Sequence, residues 1–177
     1  NMALIIVITG FTIMVYSMLG GLQAVVWTDA IQGLLLICGA VLTLVFILLK
    51  MPEGMEQVFR IGADHGKFSL GSFSLDLSSS TFWVVLVYGF FINLQNFGID
   101  QNYIQRYMAS RSDRAAKRSA LAGGLIYIPV SLLFLFIGTA LYAYYNSGAA
   151  LLPAELQDLA KSDQVFPHFI VSQLPTG

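Results

Sequence analysis

Residues 20–33 read GGLQAVVWTDAIQG and pass without a polar break into LLLICGAVLTLVFILL, residues 34–49. The second block is apolar enough for a membrane-spanning helix, and that places Asp29 inside the membrane. It lies about 12 Å beyond Gly21 at about 1.5 Å per residue. An ionised carboxylate at that depth costs several kcal/mol unless it is paired. Two roles stay open for it. Asp29 is either a structural carboxylate hydrogen-bonded to a neighbouring helix, or a member of an ion pathway, where intramembrane acids face a cavity and take a partner.

The rest of the chain has the same character. Its 177 residues are 56% hydrophobic and only 11% charged, where soluble domains carry about 25% charged residues. The mean hydropathy is +0.73. This composition predicts an all-α, multi-span helical membrane protein with the lipid bilayer as its solvent. The formal net charge of −1 gives no sign of a nucleic-acid partner. Cys38 is the one cysteine, so there is no disulfide framework, and its apolar surroundings predict a buried, inert thiol. No signal peptide is visible. The chain opens on Asn1 almost directly before an apolar stretch and closes on LPTG, and it reads as a fragment of a longer protein.

A window of about 20 residues predicts four spans, over 3–19, 22–49, 81–104 and 119–145. Gly20-Gly21 supplies a tight turn between the first two. Residues 50–80 and 146–177 form the long connecting segments. In the latter, ELQDLA and FPHFIVSQL predict short helices lying on the membrane surface. Residues 105–118 hold Arg106, Arg111, Arg114, Lys117 and Arg118, whereas 50–80 has Lys50, Arg60 and Lys67 among several acids. Basic loops stay inside, so 105–118 is expected to be cytoplasmic and 50–80 and 146–177 to face outward.

Span three is more polar than a lipid-facing helix should be. NLQNFGIDQNYIQR, residues 93–106, holds Asn93, Asn96, Asp100 and several glutamines. At about 100° per residue Asn93, Asn96 and Asp100 share one helix face. Gly98 allows local unwinding, which would free backbone carbonyls for a ligand. A helix leaving the membrane explains Asn102 onward. Asn93 and Asn96 lie deeper and read as cavity or substrate lining. In span four, Gly123-Gly124 allows close packing and Pro129 a kink. Tyr127 between them is either a packing residue or a binding one. Tyr142, Tyr144 and Tyr145 read as an interfacial aromatic belt. No nucleotide loop, zinc spacing or catalytic dyad is present, so no enzyme is expected. RSDRAAKRS, residues 111–119, reads as a solvated basic loop that sets topology and could touch anionic lipid.

GGLQAVVWTD, residues 20–29, together with NLQNFGIDQNYIQRYMASRS, residues 93–112, resembles the sodium:solute symporter family of sodium–glucose, sodium–proline and sialic-acid transporters. The family pairs these two blocks. Its Asn-Gln pair is here Asp100-Gln101, and its Gln-Arg pair is Gln105-Arg106. The likeness covers nearly the whole chain and leans toward bacterial sialic-acid-type symporters. It implies a LeuT-type fold of two inverted five-helix repeats, with this chain supplying core helices four to seven. It also implies a place in the cell membrane, as in a bacterial inner membrane.

The resemblance carries residues with it. Asp29 matches an acid that supports a sodium site, whose other ligands would be serine hydroxyls on a helix beyond residue 177. The family's principal sodium ligands lie on its first and eighth core helices, outside this chain. Asn93 matches a substrate-contacting asparagine. Asn96 stands where galactose transporters have a gating tyrosine, and Tyr127 where they have a lysine that reaches the sugar. Both departures speak against a hexose. The implied function is sodium-coupled import of a small polar solute (a sugar, sialic acid or similar organic anion) by alternating access, with sodium as coupling ion and no cofactor. A symporter-like sensor domain fused to a histidine kinase is the alternative. A bare membrane anchor would leave Asp29 and the Asn93 face without a role.

Overall fold

The computed structural model describes residues 2–174. Six α-helices occur there: α1 Met2–Lys50, α2 Gly54–Asp64, α3 Phe82–Gly98, α4 Gln101–Met108, α5 Asp113–Asn146 and α6 Val165–Gln173. Short 3-10 turns at Ala154–Leu156 and Leu159–Gln164 precede α6. No strand is found among the described residues. The all-α class expected from composition is the one observed. By contact the chain divides into two units, Asn1–Phe46 and Ile47–Gly177.

The first unit is most of α1, apolar on every side. At about 1.5 Å per residue its 49 residues would run roughly 74 Å if straight, more than twice the roughly 30 Å hydrocarbon core. The helix is interrupted at Gly21, whose φ of 58° and ψ of −159° fall in a region open essentially to glycine alone. Gly20 is fixed for a second reason, since a Cβ there would collide with the Ala24 methyl. The break therefore takes a single residue, with helix resuming at once, where the sequence suggested a tight turn over Gly20-Gly21. It divides α1 into 2–20 and 22–50, each close to or above the roughly 20 residues that one crossing needs. Cys38 is exposed on α1, contrary to the expected burial. A helix that is apolar all round gives no signal of which face is covered.

In the second unit α5 is long and apolar enough to cross a membrane, and α3 with α4 passes the same test as a pair bent by 44°. The segment before α3 is pinned to it. Asp76 accepts from the Ser78 hydroxyl at 2.7 Å, from Ser78 N–H at 2.9 Å and from the Ser79 hydroxyl at 3.0 Å. These bonds hold its carboxyl below the usual carboxylate pKa, the Ser78 hydroxyl contributing most. Thr81, buried, caps α3 by accepting from Val84 N–H. Trp83 Nε1 donates to Phe73 O at 3.2 Å.

Buried side chains collect where α2 and α6 meet the last turns of α5. The helix α2 was not foreseen within 50–80, although Met55, Val58, Phe59 and Gly62 give it an apolar face with period near 3.6. Val58 is fully buried. Gly62 allows the close approach to α5, for a Cβ there would lie 2.7 Å from the Phe68 ring and 3.0 Å from the Thr139 methyl. Phe59 sits between Phe68 and Phe136, ring centroids 5.5 Å from each. Lys67 lies 3.8 Å over the Tyr142 ring, a cation–π contact.

FPHFIVSQL falls in α6, so a short helix stands where the sequence predicted one. Its Phe169 is fully buried and meets the Tyr144 ring edge-on at 5.3 Å. Tyr144 is 2% exposed, which corrects its reading as part of an interfacial belt. Its hydroxyl donates to Gln173 Oε1 at 3.1 Å. Lys50 Nζ donates to Gln173 O at 2.6 Å and to Oε1 at 3.2 Å. One glutamine thus joins the ends of α1, α5 and α6.

Ring burial at this junction outweighs the bonds around it. Phe169→Ala in the full-length protein should cost about 3–5 kcal/mol, and Tyr144→Phe about 0.5–1.5 kcal/mol. Melting of the detergent-purified protein should therefore fall further for Phe169→Ala. An equal or larger drop for Tyr144→Phe would make the hydrogen bond the dominant contact.

Candidate functional site

The break between α3 and α4 is built by backbone rewiring. In a continuous helix Asp100 N–H would donate to Asn96 O. Here it donates to Gln95 O at 3.0 Å, which also accepts from Ile99 N–H at 3.0 Å. Asn102 N–H, whose helical acceptor would be Gly98 O, donates to Asp100 Oδ1 at 2.8 Å. The carbonyls of Asn96 and Gly98 therefore leave the ladder. Helical bonding resumes where Ile104 N–H donates to Asp100 O at 3.0 Å. Gly98 is the last residue of α3, and the Asp100 carboxylate caps α4, as aspartate commonly does.

This geometry alters one expectation. Asn93 and Asn96 share a face of α3, but Asp100 lies past the break and does not continue that face. Its role as the cap of α4 was missed, although Asp-Gln-Asn directly after Gly-Ile is a readable helix start. The electrostatic consequence is specific. The end of α3 is the negative pole of that helix, and the Asp100 carboxylate stands beside it. The positive pole of α4 opens at the same break, and the Asp100 carboxylate caps it.

Asn93 lines an open groove of about 700 Å³ with Thr81, Phe82, Val85, Gly89 and Leu94. Its Nδ2 donates to Gly89 O at 2.7 Å, which leaves the amide oxygen to accept from a ligand. Asn96, half-buried, lies one turn further on. Tyr127 projects from α5 at 61% exposure, two residues before Pro129. It is not among the residues lining the Asn93 groove.

Asp29 belongs to the other unit. It is half-buried on α1 and has an interaction partner in the structure. Thr28 beside it turns its hydroxyl proton to the helix, donating to Ala24 O at 3.0 Å and Val25 O at 2.9 Å. The structure thus joins Asn93 and Asn96 next to the break, and sets Tyr127 on a separate helix and Asp29 in a separate unit.

Comparison with known proteins agrees with this architecture. The sodium:solute symporter family profile matches residues 1–177. The chain is 33% identical over 174 residues to the sodium/sialic acid symporter SiaT of Proteus mirabilis (strain HI4320), covering 98% of this chain and 34% of that protein. It is 31% identical over 175 residues to the sodium/sialic acid symporter NanT of Aliivibrio fischeri (strain ATCC 700601 / ES114), with the same coverage of 98% and 34%. It therefore spans about a third of the length of these relatives. A solved sodium-coupled sialic acid symporter, in a substrate-bound outward-open state, superposes with a TM-score of 0.89 at 32% identity, over 99% of this chain and 36% of that one. The fold is accordingly part of the multi-span, LeuT-type transporter fold. With its full length matched and its broken polar helix in place, this chain belongs to the sodium:solute symporter family.

Proposed function

We propose that the protein carrying this chain is a sodium-coupled symporter that imports a small polar organic acid of the sialic-acid class by alternating access. The observation that carries the reading is the α3–α4 break. In transporter folds of this kind, interrupted helices near the midplane free backbone groups for solute and ions. Here the released carbonyls of Asn96 and Gly98 lie on the same helix as Asn93. The sialic acid symporters among the relatives support the solute class.

The electrostatics of the break orient the solute. The Asp100 carboxylate already occupies the N-terminus of α4, so an acid of this class turns its hydroxyl or amide donors toward the Asn96 and Gly98 carbonyls. Its carboxylate is then paired elsewhere in the full protein. Asn93 offers an oxygen to the same donors, and Tyr127 is a further lining candidate through its hydroxyl. Asp29 supports a sodium ion with oxygen ligands from another helix. At a membrane potential of about −100 mV each inward sodium contributes about 2.3 kcal/mol from voltage. Two ions would double the drive for uptake. The basic residues of 105–118, which lie on the end of α4, a short turn and the first turns of α5 instead of the expected loop, set that end on the cytoplasmic face of a bacterial inner membrane.

Three measurements on the full-length protein test this reading. Asn93→Ala should weaken solute binding by about 0.5–1.5 kcal/mol, read by calorimetry at saturating sodium. Unchanged affinity removes Asn93 from the site. Asp29→Asn keeps the shape and removes the charge, so the sodium concentration for half-maximal uptake should rise, or its Hill coefficient fall. Sodium dependence identical to the parent would make the carboxylate structural. Finally, a cysteine at Ser112, with Cys38 replaced, should react with an impermeant thiol reagent in inverted vesicles and resist it in intact cells. Labelling from outside would reverse the orientation.

A further inference from the structure

The first turns of α5 carry a feature that solute transport does not use. Arg114, Lys117, Arg118 and Leu121, with Asp113, line a concavity of about 400 Å³. Three cations face one carboxylate there. The positions recur at three- and four-residue intervals, so they occupy one helix face. That face continues through Leu125, Ile128, Leu132 and Leu135, each more than half exposed. Ala116 and Ala120 point the other way and are half-buried, and α4 packs on α5. The uncovered stripe is thus basic at its start and apolar for several turns after it.

The dimensions fit one kind of occupant. Leu121 to Ile128 spans about 10 Å at about 1.5 Å per residue, within the roughly 15 Å of one leaflet, half of the hydrocarbon core. Arg118 and Arg114 lie about 4 Å and 10 Å before Leu121, at the depth of a headgroup layer that adds several ångströms on each side. A soluble phosphate would use the cations and ignore the leucines. A neutral lipid would use the leucines and ignore the cations.

We propose that this face of α5 is a docking site for an anionic phospholipid, its phosphate against Arg114, Lys117 and Arg118 and an acyl chain along Leu121, Leu125 and Ile128. Asp113 selects against a second negative charge at the edge. The site complements the positive-inside signal, because the same cations that set orientation would then hold a lipid of the cytoplasmic leaflet.

The test uses full-length protein in detergent, titrated with phosphatidylglycerol, phosphatidylcholine or inorganic phosphate, and read by melting temperature. Phosphatidylglycerol alone should raise it. Each basic residue near an anionic surface is worth roughly fivefold in binding, so Arg114→Gln/Lys117→Gln/Arg118→Gln should weaken that response about a hundredfold. Arg114→Lys/Arg118→Lys, which keeps the charge, should retain it. If the triple variant does not fold, Lys117→Gln alone should weaken the response about fivefold. An equal response to phosphatidylcholine, a response to phosphate alone, or a phosphatidylglycerol response unchanged in the charge-removed variant would overturn the proposal. No response to any lipid would do the same, and would show the stripe covered by another helix of the protein.

Discussion

Backbone groups in hydrocarbon have no water to bond, so every N–H and C=O must find its partner within the protein. That constraint shapes this chain. It makes α1 and α5 long and α3 with α4 nearly continuous, and it makes each interruption costly. Interruptions occur where local chemistry absorbs the cost. At Gly21 the backbone enters a conformation that only glycine tolerates. At Gly98–Asp100 the Gln95 carbonyl accepts twice and an aspartate side chain replaces a backbone acceptor.

The two interruptions have different consequences. The break at Gly21 interrupts the helix at a single residue. The break after Gly98 releases carbonyls beside a carboxylate, next to Asn93 and Asn96.

Packing is concentrated elsewhere. In the second unit the fully buried rings and aliphatics gather where α2 and α6 meet the last turns of α5, with Gln173 joining Lys50 and Tyr144. The middles of α3 and α5 keep their apolar side chains exposed. In a membrane, apolar exposure carries no penalty, because lipid tails are as apolar as leucine. The polar ends gain from side-chain burial, and the apolar middles meet lipid or other helices.

The sequence by itself determined the class, the long helices and the place of both breaks. Apolar runs near 20 residues, Gly-Gly at 20–21 and Gly98 in a polar run are local signals, and membrane physics leaves few ways to satisfy them. Residue pattern also carried the family, through GGLQAVVWTD and the 93–112 block. Tertiary structure decided what depends on which face meets which. It made Tyr144 a buried partner of Phe169 instead of a belt residue, left Cys38 exposed, and revealed α2 as a helix that docks through Gly62. It also turned Asp100 from a face-sharing neighbour of Asn93 and Asn96 into the cap of the next helix. The covered faces at Tyr144 and Cys38 were not legible in advance, because helices that are apolar on every side carry no periodicity to mark them, whereas the apolar stripe of α2 and the start of α4 at Asp100 were present as local patterns. A helical wheel also assumes continuous bonding, which a single redirected N–H at Asp100 removes.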